Sequence, residues 1–281
     1  MFGVGLGLRA EAVAALRHRP WLAARMVLGS CLLVPLAALL LLHLPIAAAM
    51  PRGVRLAFLV MALCPSAPLT LRQAGGQGGD RELAAGLQLL AAATAIFTIP
   101  LMVEIFQVVL HARGWTFPPA LVAAQMLTLQ GLPLALGMGV RRLRPRFAAR
   151  CGEPIERFAF LLLLLLLLVI LVRNGPGLAT FLGHNAPALG LMALQTLAAM
   201  AIGGLLCGPG PSSRITGAVV TSLRNPGLAL LFVTLYAEGV AGVKLAIVVY
   251  QLLTLLLSAL VLGIWRRLRA PGGQRRGEPA P

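Results

Sequence analysis

The sequence predicts an all-α polytopic membrane protein with about eight transmembrane helices, and an inverted-repeat core that contains two discontinuous crossing helices. Its 281 residues are 59% hydrophobic and 11% charged, and the mean hydropathy is +0.89, far above that of a soluble domain. Two apolar segments of membrane length are interrupted, one by Pro65-Ser66-Ala67-Pro68 and the other by Arg224-Asn225-Pro226-Gly227. Broken helices persist in lipid only where protein or a polar cavity surrounds them.

Eight segments are long and apolar enough to be considered as spans, because roughly 20 apolar residues cross a hydrocarbon core about 30 Å thick. They are Trp21–Leu44, Leu56–Thr70, Leu83–Leu110, Pro119–Val140, Phe158–Val172, Pro187–Leu206, Gly217–Ala237 and Val243–Trp265. The second and the seventh contain the two interruptions. The fifth contains the leucine run Leu161–Leu168, which is apolar on every face and favours contact with lipid over lining a transport path.

The order uninterrupted, broken, uninterrupted occurs twice along the chain, in the first three spans and again in the last three. Because five spans separate each element from its counterpart, the two sets face opposite ways across the membrane, as in transporters with inverted repeats. The predicted divisions are an N-terminal segment 1–20, a first core half 21–110, two intervening spans within 119–172, a second core half 187–265 and a disordered tail 266–281 that is rich in Gly, Pro and Arg.

Basic residues are distributed unequally between the two sides of the membrane. Most of the 24 Lys and Arg residues lie in loops that alternate spans assign to one side, which we call the basic side. The positive-inside rule predicts that this side and both termini face the cytoplasm. We expect the protein to lie in the inner (plasma) membrane of the cell. The net charge of +16 does not indicate nucleic-acid binding, because the basic residues lie in loops and not in a basic domain interleaved with aromatics.

Motifs at four places resemble the bile acid:sodium symporter family. The start, Met1-Phe2-Gly3-Val4-Gly5-Leu6-Gly7-Leu8, looks like the end of the family's second helix, and Val34-Pro35 looks like a Met-Pro in its third. The segment Cys64-Pro65-Ser66-Ala67, with Gly79 and Pro100, matches the spacing of Cys-Pro-Gly-Gly, Gly and Pro in the fourth and fifth helices. The segment Asn225-Pro226-Gly227-Leu228-Ala229 resembles the Gln-Asn-x-Gly-Leu-Ala of the ninth.

The resemblance implies ten helices, six in a core domain that carries the crossing pair and four in a panel domain. The present chain would begin at the end of the second helix, so that two panel helices are absent and 119–172 supplies the remaining ones. We expect that the true N-terminus lies upstream, in preference to a reduced panel completed by a homodimer.

The resemblance also implies where sodium ligands would lie, and most of them are replaced. Leu71, Ala84 and Val220 offer no side-chain oxygen, and Arg224 introduces a positive charge, whereas a buried sodium ion needs several oxygens in place of its water shell. We therefore expect no metal or cofactor, sodium included. In chain order, the sodium ligands of the family are Gln, Ser, Asn, Ser, Thr, Glu and Gln. The corresponding positions in this chain, in the same order, are Ser30, Thr70, Leu71, Ala84, Gln88, Val220 and Arg224.

Arg224 is the basic residue that falls deep within a span, where burial costs roughly 2.5–3.5 kcal/mol on insertion scales. Half-helices that begin near Ser66 and Pro226 would point positive N-termini at the crossing, where N–H groups receive a carboxylate or sulfonate. We predict a transporter of a small organic anion that works by alternating access, with Arg224 as a fixed cation in place of sodium. The predicted substrate-binding residues are Ser66, Thr70, Gln88, Arg224, Asn225 and Gln251, and the predicted helix breaks are Pro65, Pro68, Pro226 and Gly227.

Several alternatives stay open. In the first alternative, the protein is a sodium-coupled symporter with atypical ligands. In the second, Arg224 only satisfies the carbonyls of a broken helix, and the prolines are simple kinks. A non-transporting receptor or an intramembrane enzyme is a further alternative. Membrane hydrolases need an embedded nucleophile and base, or paired carboxylates and histidines, and the spans contain no such pattern. We therefore expect no enzymatic activity. Steroid-sized, keto-acid and pantoate-like anions all fit the predicted substrate class.

Overall fold

The structure, a computed structural model, describes residues 1–7, 16, 18–67, 70–109 and 118–269. This part of the chain is built from helices and their connections. The helices are α1 (Phe2–Gly7), α2 (Pro20–Leu42), α3 (Arg52–Leu63), α4 (Thr70–Gly76), α5 (Arg81–Val109), α6 (Pro119–Leu143), α7 (Pro145–Arg173), α8 (Gly175–His184), α9 (Ala186–Leu206), α10 (Pro211–Ser222), α11 (Pro226–Tyr236) and α12 (Val243–Arg269). A short 3-10 helix, Pro45–Ala49, joins α2 to α3.

Within the described residues, seven segments are long and apolar enough to cross a membrane, counting α10 and α11 together as one. They correspond to seven of the eight predicted spans. The remaining prediction, Leu56–Thr70, falls on α3, α4 and the link between them, and each of these two helices is too short to cross a bilayer alone. The prediction of an all-α polytopic membrane protein is confirmed.

Both predicted interruptions are present. Helix α3 ends at Leu63, Cys64 has an extended backbone with ψ of 107°, and the next described helix, α4, comprises Thr70–Gly76. Pro65 lies in this link, whereas Pro68 lies outside the described residues. Helix α10 ends at Ser222, and Leu223 and Asn225 are extended, with ψ of 98° and 94°.

Pro226 and Gly227 are the first two residues of α11, so the second interruption ends before them. Proline is favoured at a first helical position, because its missing N–H would have no partner there in any case and its φ already suits a helix. The residues that lack helical geometry are therefore 223–225, and the proline starts the following half-helix.

Two other spans contain a widened helical turn next to a proline. In α2 a π-helical turn, Leu28–Leu33, precedes Pro35, and in α6 a π-helical turn, Leu127–Gly131, precedes Pro133. Proline removes a helical donor, and its ring crowds the preceding turn. The Gln195 side chain of α9 donates a hydrogen bond to the Val34 carbonyl oxygen at 2.8 Å, which ties α9 to the irregular part of α2.

The elements before and after the middle of the chain pack against each other. Helix α2 contacts α9, and α3 contacts α11 and α12, while α4 and α5 contact α10. Helix α1 packs against α6 and α7, where the Arg141 guanidinium donates to the Leu6 carbonyl oxygen at 2.7 Å. The short N-terminal helix therefore lies with the two spans between the core halves.

Three helical extents differ from the sequence prediction. Helix α7 begins at Pro145 and not near Phe158, α8 was not predicted, and α12 continues past Trp265 to Arg269. The predicted tail 266–281 therefore starts within a helix, and residues 270–281 lie outside the described residues.

Helices α9 and α10 approach so closely that only glycine fits at their contact. A Cβ atom placed on Gly217 would lie 2.2 Å from the Gly203 carbonyl oxygen, and one on Gly203 would lie 2.1 Å from the Gly217 oxygen. Small residues at such contacts allow membrane helices to pack backbone to backbone. The obstacle is backbone in each case, so a side-chain rotation cannot relieve it.

We expect Gly217→Ala to destabilise the protein, because overpacking of this kind typically costs about 1–3 kcal/mol. The measurement is the thermal unfolding temperature of the purified protein in detergent. The matched control is Gly190→Ala in α9, where a Cβ atom meets nothing within 4 Å. An unchanged unfolding temperature for Gly217→Ala, or an equal loss for both variants, contradicts the close contact.

Candidate functional site

The two interrupted helices meet at their interruptions, a region we call the crossing. The Ala67 N–H donates to the Leu223 carbonyl oxygen at 3.2 Å, and the Asn225 N–H donates to the Cys64 carbonyl oxygen at 3.4 Å. The two unwound segments therefore satisfy part of each other's backbone. This pairing replaces helical hydrogen bonds that have no water to substitute for them inside a membrane.

Arg224 lies at the crossing and is 2% exposed. Its Nη1 group donates to the Ser30 carbonyl oxygen at 3.1 Å, to Ser30 Oγ at 3.1 Å and to the Thr221 carbonyl oxygen at 3.3 Å. Nε donates to the Met61 carbonyl oxygen at 3.3 Å, and Nη2 donates to the Ala62 carbonyl oxygen. The guanidinium thus joins the π-helical turn of α2 to the ends of α3 and α10.

The acceptors around Arg224 are the groups that helix ends leave without partners. Met61 and Ala62 belong to the last turn of α3, and Thr221 to the last turn of α10, where carbonyls lack helical donors. Both ends carry the negative partial charge of the helix dipole. Among the described residues, the structure records no ion pair between Arg224 and a carboxylate. The positive charge is therefore stabilised by dipoles, and no recorded carboxylate contact in the described part of the chain neutralises it at the crossing.

The geometry around Arg224 does not fit a sodium ion at this point. The resemblance noted in the sequence places Ser30 and Arg224 at positions of sodium ligands. The carbonyl oxygens that a buried cation would need are hydrogen bonded to the guanidinium. A second cation held by the same oxygens would also lie against a fixed positive charge, which is unfavourable in a low-dielectric site.

Three of the other predicted substrate-binding residues stabilise the local backbone. Ser66 Oγ and Thr70 Oγ1 are 2.8 Å apart, and Thr70 Oγ1 also bonds to the Ala67 carbonyl oxygen. Asn225 Oδ1 accepts the Leu228 N–H at 3.1 Å and caps the start of α11. The Asn225 amide nitrogen is then the donor that this side chain offers to a ligand.

Gln88 and Gln251 are buried, and the structure does not bring them into hydrogen-bond contact with Arg224. Both amide atoms of Gln88, and Oε1 of Gln251, have no hydrogen-bond partner among the described residues. A buried polar group without a partner costs about 1–3 kcal/mol, so each such group calls for an explanation such as a ligand or a water molecule. Ser30 contacts Arg224 although it was not among the predicted substrate-binding residues.

A cavity of about 340 Å³ lies between α4, α5 and α7, and we call it the vestibule. The Arg72 guanidinium lies 5.5 Å from the centre of the Phe160 ring, and Arg157 pairs with Glu153 at 2.6 Å. These side chains are on the basic side of the membrane. The residues that line the vestibule are Leu71, Arg72, Arg81, Glu153, Glu156, Arg157, Ala159, Phe160 and Leu163.

Leu163 borders both the vestibule and the start of α11. It lines the vestibule, and its Cδ1 atom would lie 3.6 Å from a Cβ atom placed on Gly227, the second residue of α11. Leu167, one helical turn further, is buried. The leucine run is therefore not uniform, because Leu163 lines the vestibule while most of the run is exposed, as expected of a surface in contact with lipid.

Residues 1–181 match the family model described as the Sodium Bile acid symporter family. The matched residues run from α1 into α8, so they include the first interruption and the vestibule but not Arg224. A comparison with curated proteins gives no match.

Proposed function

The chain belongs to the sodium bile acid symporter family, and from this premise we propose that it carries an organic anion by alternating access without sodium coupling. It is a multi-pass membrane transporter of the bile-acid or organic-anion type. The observation that carries the proposal is the contact of the Arg224 guanidinium with carbonyl oxygens at the ends of α3 and α10. In this proposal Arg224 acts as a permanent internal cation.

A covalently attached cation removes the means of coupling to an ion gradient at that point. In transporters with inverted repeats, the carbonyl-bearing ends of half-helices coordinate the coupling ion. Arginine is always protonated in proteins, and it cannot dissociate. The carrier therefore moves its substrate along the substrate's own gradient, or with protons.

The charge of Arg224 acts on the substrate through space, because its donors are engaged by carbonyl oxygens. At a separation of roughly 8 Å and an effective dielectric constant of about 20, a unit anion gains about 2 kcal/mol. Pro226 has no N–H, and the Leu228 and Ala229 N–H groups donate to Asn225, so direct contacts come from the Gly227 N–H and from the Asn225 amide nitrogen. Helix N-termini bind anions of this kind.

In this proposal the substrate enters from the basic side, where the predicted topology places the vestibule and which we assign to the cytoplasm on the positive-inside rule. Leu163 lines the vestibule and lies next to Gly227 at the start of α11. At the other end of α11 the Tyr236 hydroxyl donates to Gln125 Oε1 of α6 at 2.6 Å. Alternating access then requires this contact between α11 and α6 to open while the vestibule closes.

We expect Tyr236→Phe to raise the rate of substrate exchange severalfold, because a hydrogen bond that holds one conformation contributes about 0.5–1.5 kcal/mol. The measurement is exchange of labelled substrate across proteoliposomes. Gln125→Ala should have the same effect, and the double variant should equal the single ones, since the two groups form one interaction. Additive effects, or an unchanged rate for Tyr236→Phe, contradict the role of this contact.

Uptake into proteoliposomes tests the function itself. Purified protein is reconstituted and offered labelled carboxylates and sulfonates of steroid size, keto-acid size and pantoate size, in sodium-containing and sodium-free buffer. We expect uptake of at least one class above that of empty liposomes, and equal uptake in the two buffers. Uptake equal to that of empty liposomes for the whole panel contradicts the carrier, and strict dependence on sodium contradicts the role of Arg224.

A further inference from the structure

A second cavity, of about 380 Å³, lies between α9, α10 and α12, and we call it the α9–α12 groove. None of its lining residues belongs to the crossing or to the vestibule. Its walls are mainly apolar, with Leu197 and Leu205 from α9, Ile215 and Ala218 from α10 and Val261 from α12. Leu205 is 72% exposed, which in a membrane-spanning helix means contact with lipid. The groove is therefore open towards the bilayer.

One end of the groove carries a positive charge. Arg214, near the start of α10, and Trp265, near the end of α12, both line it, and both lie at the basic-side ends of their helices. Among the described residues, the structure records no ion pair or hydrogen bond for the Arg214 guanidinium. Tryptophan is typical of the level where lipid headgroups meet the hydrocarbon core.

We propose that the α9–α12 groove binds an anionic phospholipid of the basic-side leaflet, with one acyl chain along the apolar walls and the phosphate at Arg214. Along α9, the distance from Leu197 to Leu205 is about 12 Å at about 1.5 Å per residue, which suits part of an acyl chain. A groove with an apolar body and one cationic end is complementary to a lipid with an apolar chain and a negative headgroup.

Charge complementarity with Arg214 favours an anionic lipid over a neutral one. A basic side chain near an anionic membrane surface contributes about 1 kcal/mol, equivalent to roughly a fivefold preference. A second copy of the chain is a poorer occupant, because a stable protein interface buries on the order of 1,000 Å² or more and a concave groove of this size offers only a part of that. A single lipid, in contrast, does not require a contact area larger than the groove provides.

Tryptophan fluorescence provides the test, because Trp265 lines the groove and the chain has only two other tryptophans, Trp21 and Trp115. The full-length variant Trp21→Phe/Trp115→Phe leaves Trp265 as the reporter. It is reconstituted into nanodiscs of phosphatidylcholine that contain a small fraction of dibrominated phosphatidylglycerol or dibrominated phosphatidylcholine. We expect the brominated phosphatidylglycerol to quench Trp265 about fivefold more effectively than brominated phosphatidylcholine at the same fraction.

Two further variants separate the charge from the groove. Arg214→Gln should reduce quenching by phosphatidylglycerol to the level of phosphatidylcholine, whereas Arg267→Gln, an exposed arginine of α12 that does not line the groove, should retain most of the preference. Gly204→Leu should fill the groove and lower quenching by both lipids. Gly190→Leu, at an open position of the same helix, should leave quenching unchanged.

Three results would overturn the proposal. Equal quenching by the two lipids removes the anionic preference. Equal losses for Arg214→Gln and Arg267→Gln show general attraction to a basic surface and not a site. Quenching that falls as the protein forms dimers, with Trp265 shielded from both lipids, assigns the groove to a second copy of the chain. None of these results depends on whether the protein transports an anion.

Discussion

Replacing Arg224 by glutamine is expected to lower sodium-independent uptake of the organic anion by roughly 30-fold. This factor corresponds to the loss of about 2 kcal/mol of attraction between a unit anion and a fixed positive charge roughly 8 Å away at an effective dielectric constant of about 20. The measurement is initial uptake into proteoliposomes at equal amounts of folded protein. The uptake of neutral analogues of the substrate should be the same in the variant and in the wild type, because these analogues gain nothing from the charge.

The matched variant for Arg224→Gln is Arg224→Lys, which keeps the charge but has a compact ammonium with three donors instead of a planar group with five. We expect Arg224→Lys to retain the preference for anions while unfolding at a lower temperature, because some of the carbonyl oxygens of Met61, Ala62 and Thr221 then lose their donor. Folded variants that lose uptake to the same extent contradict the role of the charge.

Leu163→Trp is expected to reduce uptake by an order of magnitude or more. Leu163 lines the vestibule and lies beside Gly227 at the start of α11, so a larger side chain would fill the space that the proposed transport route needs between the vestibule and the crossing. Membrane-spanning helices tolerate tryptophan, and this substitution does not change the charge of the protein. The measurement is initial uptake, compared with the unfolding temperature to separate obstruction from misfolding.

The leucine run supplies the control for Leu163→Trp. Leu165 lies two residues further on α7, is 55% exposed and does not line the vestibule. Leu165→Trp should transport at the wild-type rate. If the two variants transport equally well, the vestibule is not the route to the crossing.

The spans and the two interruptions were predictable because they depend on composition over a short window. Hydropathy identifies residues that are stable in lipid, and a proline such as Pro65 or Pro226 marks a place where a helix is interrupted or begins. The start of α7 was missed for the same reason. Its first turns carry Arg146, Arg150 and Arg157, which hydropathy excludes from a span, although the backbone hydrogen bonds of a helix do not depend on the charge of the side chains.

The partners of Arg224 were less accessible to prediction. Its position within a span indicated that the charge needs compensation, and the carbonyls of a broken helix were one expected source. Met61 and Ala62 contribute backbone carbonyl oxygens, and every residue has such an oxygen. No pattern of side chains distinguishes these two from their neighbours, and only the meeting of α3 with α10 selects them.

By itself, the sequence determined that this protein is a helical membrane protein of the symporter family with two interrupted spans and one arginine at the second interruption. Only the tertiary structure decided what the arginine contacts and which leucine of an unbroken run lines a cavity. The physical reason is that insertion into lipid depends on local properties of consecutive residues. In contrast, the identity of a contact depends on how segments distant in the chain pack, and a run that is apolar on every face has no periodicity to show which side is turned inward.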